Sequence, residues 1–281
     1  VIKQLLQVFY PQNANITVSI SFDNRYLNYG KILLNSLLKN SPNVNIIVLA
    51  INVSQQDLAG YEKLENIKII CEQKEFVHPY EQRLYVTTRR IFLINQLRED
   101  DSVENLLQLD ADTIINKNLN QLATLYNQGD FVIFARPTMK HEALRLTMNV
   151  LGLANSTAAK LLTQEWIRQL WQILETPQDS KYIDQLTLWK AYEKIAQQEE
   201  LKLVNLDSPW IGQSNQSVIR TFYATKDNKS DQKLLKQLNK FAEQNLTEVP
   251  SNAPAKPQEI PIKLTRQLLE KNFEQVKFNY Q

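Results

Sequence analysis

The first half of the chain alternates short apolar runs with stretches of helical spacing, and that alternation restricts it to an α/β fold with a mainly parallel sheet. ITVSISFD (16–23) reads as a buried strand ending at a polar turn, and the segment after it repeats apolar residues at Ile32, Leu33, Leu34, Leu37 and Leu38. VNIIVLAINV (44–53) is the next strand, with Ser54 placed to cap a helix running through Leu64. NIKIICE (66–72) is a third strand. A helix from about Gln82 to Arg98 follows, with Val86, Leu93 and Leu97 on one stripe and Arg89 and Arg90 beside it. DFVIFARP (130–137) reads as a strand stopped by Pro137, and Leu162, Trp166, Leu170 and Leu174 recur at helical spacing over 160–175.

Composition narrows the function classes. The 281 residues are 43% hydrophobic, enough for a substantial core. The 32 basic and 30 acidic side chains leave a formal charge of +2, too balanced to predict a nucleic-acid partner. No apolar stretch approaches the roughly 20 residues needed to span a bilayer. The single cysteine, Cys71, has no partner in the chain, which predicts a reducing, cytoplasmic setting, peripheral to a membrane at most, with the thiol packed in the core. The Asn-x-Ser/Thr triplets at Asn15, Asn52, Asn155, Asn215, Asn228 and Asn245 are what an Asn-rich chain produces by chance. The chain opens on Val1, as a processed chain or a segment of a longer protein does.

Beyond about residue 231 the character changes. Leu234, Leu238, Phe241 and Ala242 mark an amphipathic helix; VPSNAPAKPQEIP (249–261) reads as an extended linker, and Leu264, Leu268 and Val276 mark a last helix. The expected division is therefore a domain over 1–230 and a helical extension over 231–281, joined through the Pro-rich linker 249–261.

The chemistry concentrates in NLLQLDADTII (105–115). Asp110 and Asp112 are two residues apart, so a strand continued through them would place both carboxylates on one side of the sheet. Two like charges this close repel unless a cation lies between them, and a divalent metal bridged to a diphosphate is a common arrangement. Ligands of open α/β sheets bind beyond the carboxyl ends of the strands, which is where Asp110 falls. An isolated Asp-x-Asp also fits a strand-to-loop boundary with solvated acids. Asp184 likewise fits an ordinary first-turn helix position, and Arg89 and Arg90 a solvated helix face.

The order of these residues resembles the GT-A fold glycosyltransferases of family 8, the type that includes glycogenin and bacterial lipopolysaccharide galactosyltransferases, from about residue 16 to 230. SFDNRYLNYGKILLNSLLKN carries Asp23, Tyr26, Ser36, Leu37 and Leu38 in matching places. Arg90 matches the family's arginine ahead of the metal motif, and Leu109, Asp110 and Asp112 match the Leu-Asp-x-Asp motif itself. Asn155 partly matches an Asn-x-Gly segment, with Thr157 in place of the glycine, and Asp184 and Gln185 match the Asp-Gln pair. The last element departs: IRTFYATKDNK has Thr221 where the family has a metal-binding His and Ala224 where it has a Gly, and Lys226 or Lys229 must serve as its Lys.

The resemblance implies a Rossmann-like nucleotide-diphospho-sugar transferase fold and sugar transfer, with retention of configuration, from a nucleotide-diphosphate sugar, in particular a UDP-sugar. The acceptor would be a glycan, a lipid-linked species or a protein. It assigns the donor nucleotide to Ser21, Asp23 and Tyr26, and the diphosphate to Arg90, Asp110 and Lys226. Mn2+ or Mg2+ falls to Asp110 and Asp112 with an open question over the third protein ligand. The donor sugar falls to Asn155 and Asp184, and Gln185 lies beneath the sugar beside Asp184 in the catalytic pair. The alternative reading is a catalytically impaired domain of the same fold that binds a sugar or a protein.

Overall fold

A computed structural model describes residues 15–77, 79–175, 182–198 and 200–221. Lys226, Lys229, His78, and the helices and linker expected over 231–281 lie outside the described residues, as does the division at residue 230.

The foreseen strands form the heart of a seven-stranded sheet. They are β1 (Thr17–Asp23), β2 (Asn45–Ile51), β3 (Ile67–Glu72), β4 (Asn105–Asp110) and β6 (Phe131–Ala135), joined by two that sequence reading did not predict, β7 (Leu146–Ala154) and β8 (Leu203–Asn205). Their order is β3-β2-β1-β4-β7-β6-β8, with β7 antiparallel to both β4 and β6 and the other pairs parallel. The expected mainly parallel sheet is present, but sequence reading missed β7. Its nine residues, LTMNVLGLA, show no clean alternation because the strand is buried on both faces and bulged against β6 between Ile133 and Phe134.

Side-chain alternation divides the core into two layers. Val18, Ile20 and Phe22 of β1 and Ile46, Val48 and Ala50 of β2 face one layer, which is covered by α1 (Leu27–Asn40) and α2 (Gln55–Glu62). Ile47, Leu49 and Ile51 face the other, covered by α3 (Pro79–Glu99), α5 (Thr157–Glu175) and α6 (Ile183–Gln198), with the short α4 (Ala123–Tyr126) elsewhere in the chain. Each such fully buried aliphatic side chain contributes roughly 1.5–3 kcal/mol. Ser54 caps α2 as expected: its hydroxyl accepts from the Gln56 N–H at 3.2 Å.

Two expectations fail. Cys71 is exposed, because β3 is an edge strand and the residue points away from the layer that Ile70 packs against. Asp110 and Asp112 do not share one strand. β4 ends at Asp110, the chain turns through Ala111 and Asp112, and β5 (Thr113–Ile115) belongs to a second sheet of order β5-β10-β9, with β9 (Ile211–Gly212) and β10 (Ile219–Thr221). The Thr113 hydroxyl fastens the turn by donating to the Asp110 carbonyl at 2.8 Å. Ser36, one of the residues carrying the resemblance, has a structural role: its hydroxyl accepts from the Ile115 N–H at 3.0 Å and ties β5 to α1.

Candidate active site

The carboxyl ends of β1 and β4 and the start of β7 meet at one edge of the large sheet. Ser21 pairs with Asp110 across β1 and β4. Leu109 pairs with Val150 across β4 and β7, the last pair of that ladder; Asn149 precedes Val150 as Asp110 follows Leu109, so both lie at the same end of the strands. Asn149 is half-buried, as are Asp110 and Asp112. Position at the end of a parallel strand makes this edge the natural ligand face of the fold.

Arg90 reaches this edge from α3. Its guanidinium donates to Asp110 Oδ1 at 2.5 Å and also to Asp184 Oδ2, which stands in the first turn of α6. One buried cation thereby joins three elements that are far apart in the chain. Burial works against the charge on Arg90, but Asp110 and Asp184 outweigh it and keep the guanidinium protonated. The Trp166 indole N–H fixes the start of α6 by donating to the Asp184 carbonyl at 3.2 Å and to the Thr187 hydroxyl at 3.0 Å. Arg89, the neighbour of Arg90, points elsewhere: it is buried and donates to Glu72 at 2.8 Å.

The acidic turn is electrostatically loaded. Burial raises the Asp110 carboxyl above its ordinary value, opposed by Arg90 and reinforced by Asp184. Burial and the neighbouring charge of Asp110 push Asp112 up to about 7. Burial raises the Tyr26 hydroxyl too, and its second cause is the charge of Asp112, so this phenol lies within electrostatic reach of the turn. Tyr26 also rests against Tyr29, with ring centroids 5.6 Å apart.

The other expected residues divide. Asp23 ends β1 and caps the short helix Asn24–Tyr26; its carboxylate accepts from the Arg25 backbone N–H and from Arg25 Nε, both at 3.0 Å. Ser21 lies at the same edge, but its hydroxyl is buried and meets no partner among the described residues. Gln185 is half-buried beside Asp184; with its amide nitrogen turned toward the available acceptors, it donates to the carbonyls of Leu146 at 2.8 Å and Ala143 at 3.2 Å. Thr221 pairs with Thr113, next to Asp112, but is wholly buried, and its hydroxyl has no partner among the described residues.

Asn155 is not brought to this edge. It follows Ala154, which pairs with Asn105 at the opposite end of β4, and its amide donates to the Asp101 carbonyl at 3.3 Å. Five residues of strand separate Asn105 from Asp110, roughly 17 Å at the usual rise. The amide at the acidic edge is Asn149, which sequence reading missed along with β7. The available signal was a polar amide inside an otherwise largely apolar nine-residue run.

Comparison with known proteins agrees with this architecture. The family model described as glycosyl transferase family 8 matches residues 17–183. Among solved structures, the bifunctional glycosyltransferase WbbM superposes with a TM-score of 0.56 at 14% identity, covering 85% of this chain and 53% of that one. The galactosyltransferase LgtC, solved with donor and acceptor sugar analogues, gives 0.54 at 12% identity over 84% of this chain and 98% of that one. GlyE of Streptococcus pneumoniae TIGR4 gives 0.55 at 14% identity, covering 94% of this chain and 64% of that one. The chain thus spans about half of WbbM and just under two thirds of GlyE. No curated protein matches it in sequence. With a family match over more than half of its length and the GT-A architecture around it, the chain belongs to glycosyl transferase family 8.

Proposed function

We propose that this protein transfers a sugar from a nucleoside-diphosphate donor, in particular a UDP-sugar, to a glycan, lipid-linked or protein acceptor. The observation that carries the reading is the convergence of Asp110, Asp112, Arg90, Asp184 and Asn149 on one edge of the sheet. Asp110 and Asp112 offer hard carboxylate oxygens, a donor set that fits Mg2+ or Mn2+ held jointly with phosphate oxygens. Among the described residues no group of three or more His, Cys, Asp or Glu is placed to hold a metal alone, which favours an ion shared with the diphosphate. When bound, that ion supplies Lewis-acid stabilisation of the leaving diphosphate.

The chain's own residues have distinct tasks. Arg90 holds Asp110 and Asp184 in place and contributes positive charge where negative charge develops, the setting in which electrostatic stabilisation is worth most. Tyr26 would offer its ring and hydroxyl to the nucleotide beside the turn, with Asp23 holding the loop that carries it. Lys226 is proposed for the diphosphate on the sequence resemblance. Asp184 and Asn149 would accept and donate hydrogen bonds to donor-sugar hydroxyls, with Asn149 taking the role that sequence reading gave to Asn155. Gln185 lies next to Asp184, where a weakly nucleophilic amide beneath the sugar is compatible with front-side attack and retention of configuration.

Incubation with a panel of nucleotide sugars and Mn2+, monitored by release of nucleoside diphosphate, tests the proposal. Slow turnover of one donor is the expected result. No release and no binding of any nucleotide sugar, with or without metal, would refute it.

A further inference from the structure

The hairpin between β6 and β7 stands at the same sheet edge and is fastened directly to the proposed catalytic pair. Gln185 donates to the Leu146 and Ala143 carbonyls, and Leu146 pairs with Ala135, the residue before Arg136. The Arg136 N–H donates to the Arg145 carbonyl at 2.7 Å, closing the hairpin. Arg145 braces it from the other side: its guanidinium lies 4.8 Å from the Trp189 ring and its Nε donates to the Met139 carbonyl at 3.0 Å. The loop is therefore held in one conformation next to Gln185.

Arg136 differs from Arg145, the other arginine of this loop, and from Arg90 at the site. Arg25, Arg89, Arg90, Arg145 and Arg168 each stand within ion-pair distance of a carboxylate. Arg136 has no such partner among the described residues. Its guanidinium lies over the Phe134 ring at 5.5 Å; among the described residues its buried Nε meets no acceptor and its Nη2 makes a 3.5 Å contact with the Thr147 hydroxyl. The residue as a whole is half-exposed, so solvent reaches the part beyond Nε. Lys140 and His141 are exposed on the same loop, whose only acid, Glu142, faces Arg145 at 3.9 Å. A guanidinium positioned on an aromatic face, short of acceptors and flanked by further basic residues matches the fork geometry of a phosphate or carboxylate.

We propose that Arg136 binds an anionic group, a phosphate or a carboxylate, carried by the acceptor glycan. The inference rests on the sugar-transfer reading above and adds the chemical class of the acceptor. Arg136 stands on the same hairpin as the Ala143 and Leu146 carbonyls that accept from Gln185, so an acceptor anchored there would lie at the same end of the sheet as the donor sugar.

Titration calorimetry of the full chain with glucose 6-phosphate, glucuronate and glucose tests it. The expected result is at least tenfold tighter binding of one anionic sugar than of glucose, with the stronger of the two identifying the anion. Arg136→Met should erase that preference and Arg136→Lys should retain part of it. In the native protein, the NMR signal of the Arg136 Nε–Hε pair should move with the preferred anionic sugar and not with glucose, a readout independent of how the variants fold. Equal affinity for all three sugars, or a preference that survives in folded Arg136→Met, overturns the proposal. Nucleotide-sugar binding is measured on the same preparation: its failure counts against the transfer reading, whereas loss of the anion preference alone counts against Arg136.

Discussion

Arg90 and Asp110 are separated by 20 positions in the chain, yet the guanidinium of one stands 2.5 Å from the carboxylate of the other, and the same guanidinium also holds Asp184. This relationship makes the site a single electrostatic unit. Removing Arg90 would leave two carboxylates facing each other without their shared cation. Arg90→Ala is expected to lower stability by about 3–5 kcal/mol, the range for breaking a buried ion pair from one side. Arg90→Lys should lose less, because one charge remains while the two-sided contact does not. Urea unfolding of the two variants beside the native protein checks the order.

Among the described residues Asp112 has no ion-pair partner of its own, and it stands in the turn where a metal and a diphosphate are proposed to meet. Asp112→Asn should reduce Mn2+-dependent donor turnover by at least about 100-fold, on the order of 2.7 kcal/mol of transition-state stabilisation. The fold should persist, since the variant removes a charge from a turn already fastened by Thr113. Turnover equal to that of the native enzyme would remove Asp112 from the mechanism.

The raised carboxyl of Asp112 also gives the metal-free protein a pH dependence of definite sign. Its value of about 7 lies above the ordinary carboxyl range, so the folded state holds this proton more tightly than the unfolded chain. That contribution is fully present below the unfolded value near 4 and is lost as pH rises toward 7. Between pH 5 and 8 the melting temperature without metal should therefore fall, and Asp112→Asn should flatten the slope. Thermal unfolding at several pH values, in chelator, measures both.

Asn149 and Asn155 provide a direct comparison between register and sequence resemblance. Asn149→Ala should weaken donor-sugar binding by roughly 1–3 kcal/mol, the cost of stranding a buried hydrogen-bonding partner, with little effect on free nucleoside diphosphate. Asn155→Ala should leave both affinities unchanged, because its amide lies at the opposite end of β4. Calorimetric titration with the donor and with the nucleoside diphosphate distinguishes the two.

Gly152 tests the strand that carries Asn149. A Cβ there would stand 2.9 Å from the Tyr126 hydroxyl and 3.0 Å from Val132 Cβ, and that hydroxyl donates to the Leu106 carbonyl at 3.1 Å. Gly152→Ala should destabilise the protein by about 1–3 kcal/mol through overpacking. A melting temperature equal to that of the native chain would show that this layer yields more easily than its packing suggests.

Local physics was legible in the sequence because it is local. Short apolar runs set β1, β2 and β4, the Ser54 cap set the start of α2, and the termination of a buried strand at Asp110 marked the ligand edge before any contact was known. The arginine of α3 and the Asp-Gln pair of α6 could be named from their order along the chain, since the family resemblance preserves order. What the sequence could not contain was register. Whether Asn149 or Asn155 reaches the acidic edge depends on how β7, a strand buried on both faces and so without alternation, pairs with β4. Whether Asp112 continues β4 depends on β5 leaving for a second sheet, and whether Cys71 is covered depends on β3 having no outer neighbour among the described residues. Each outcome is fixed by hydrogen bonding between segments far apart in the chain, and only the tertiary structure brings those segments together.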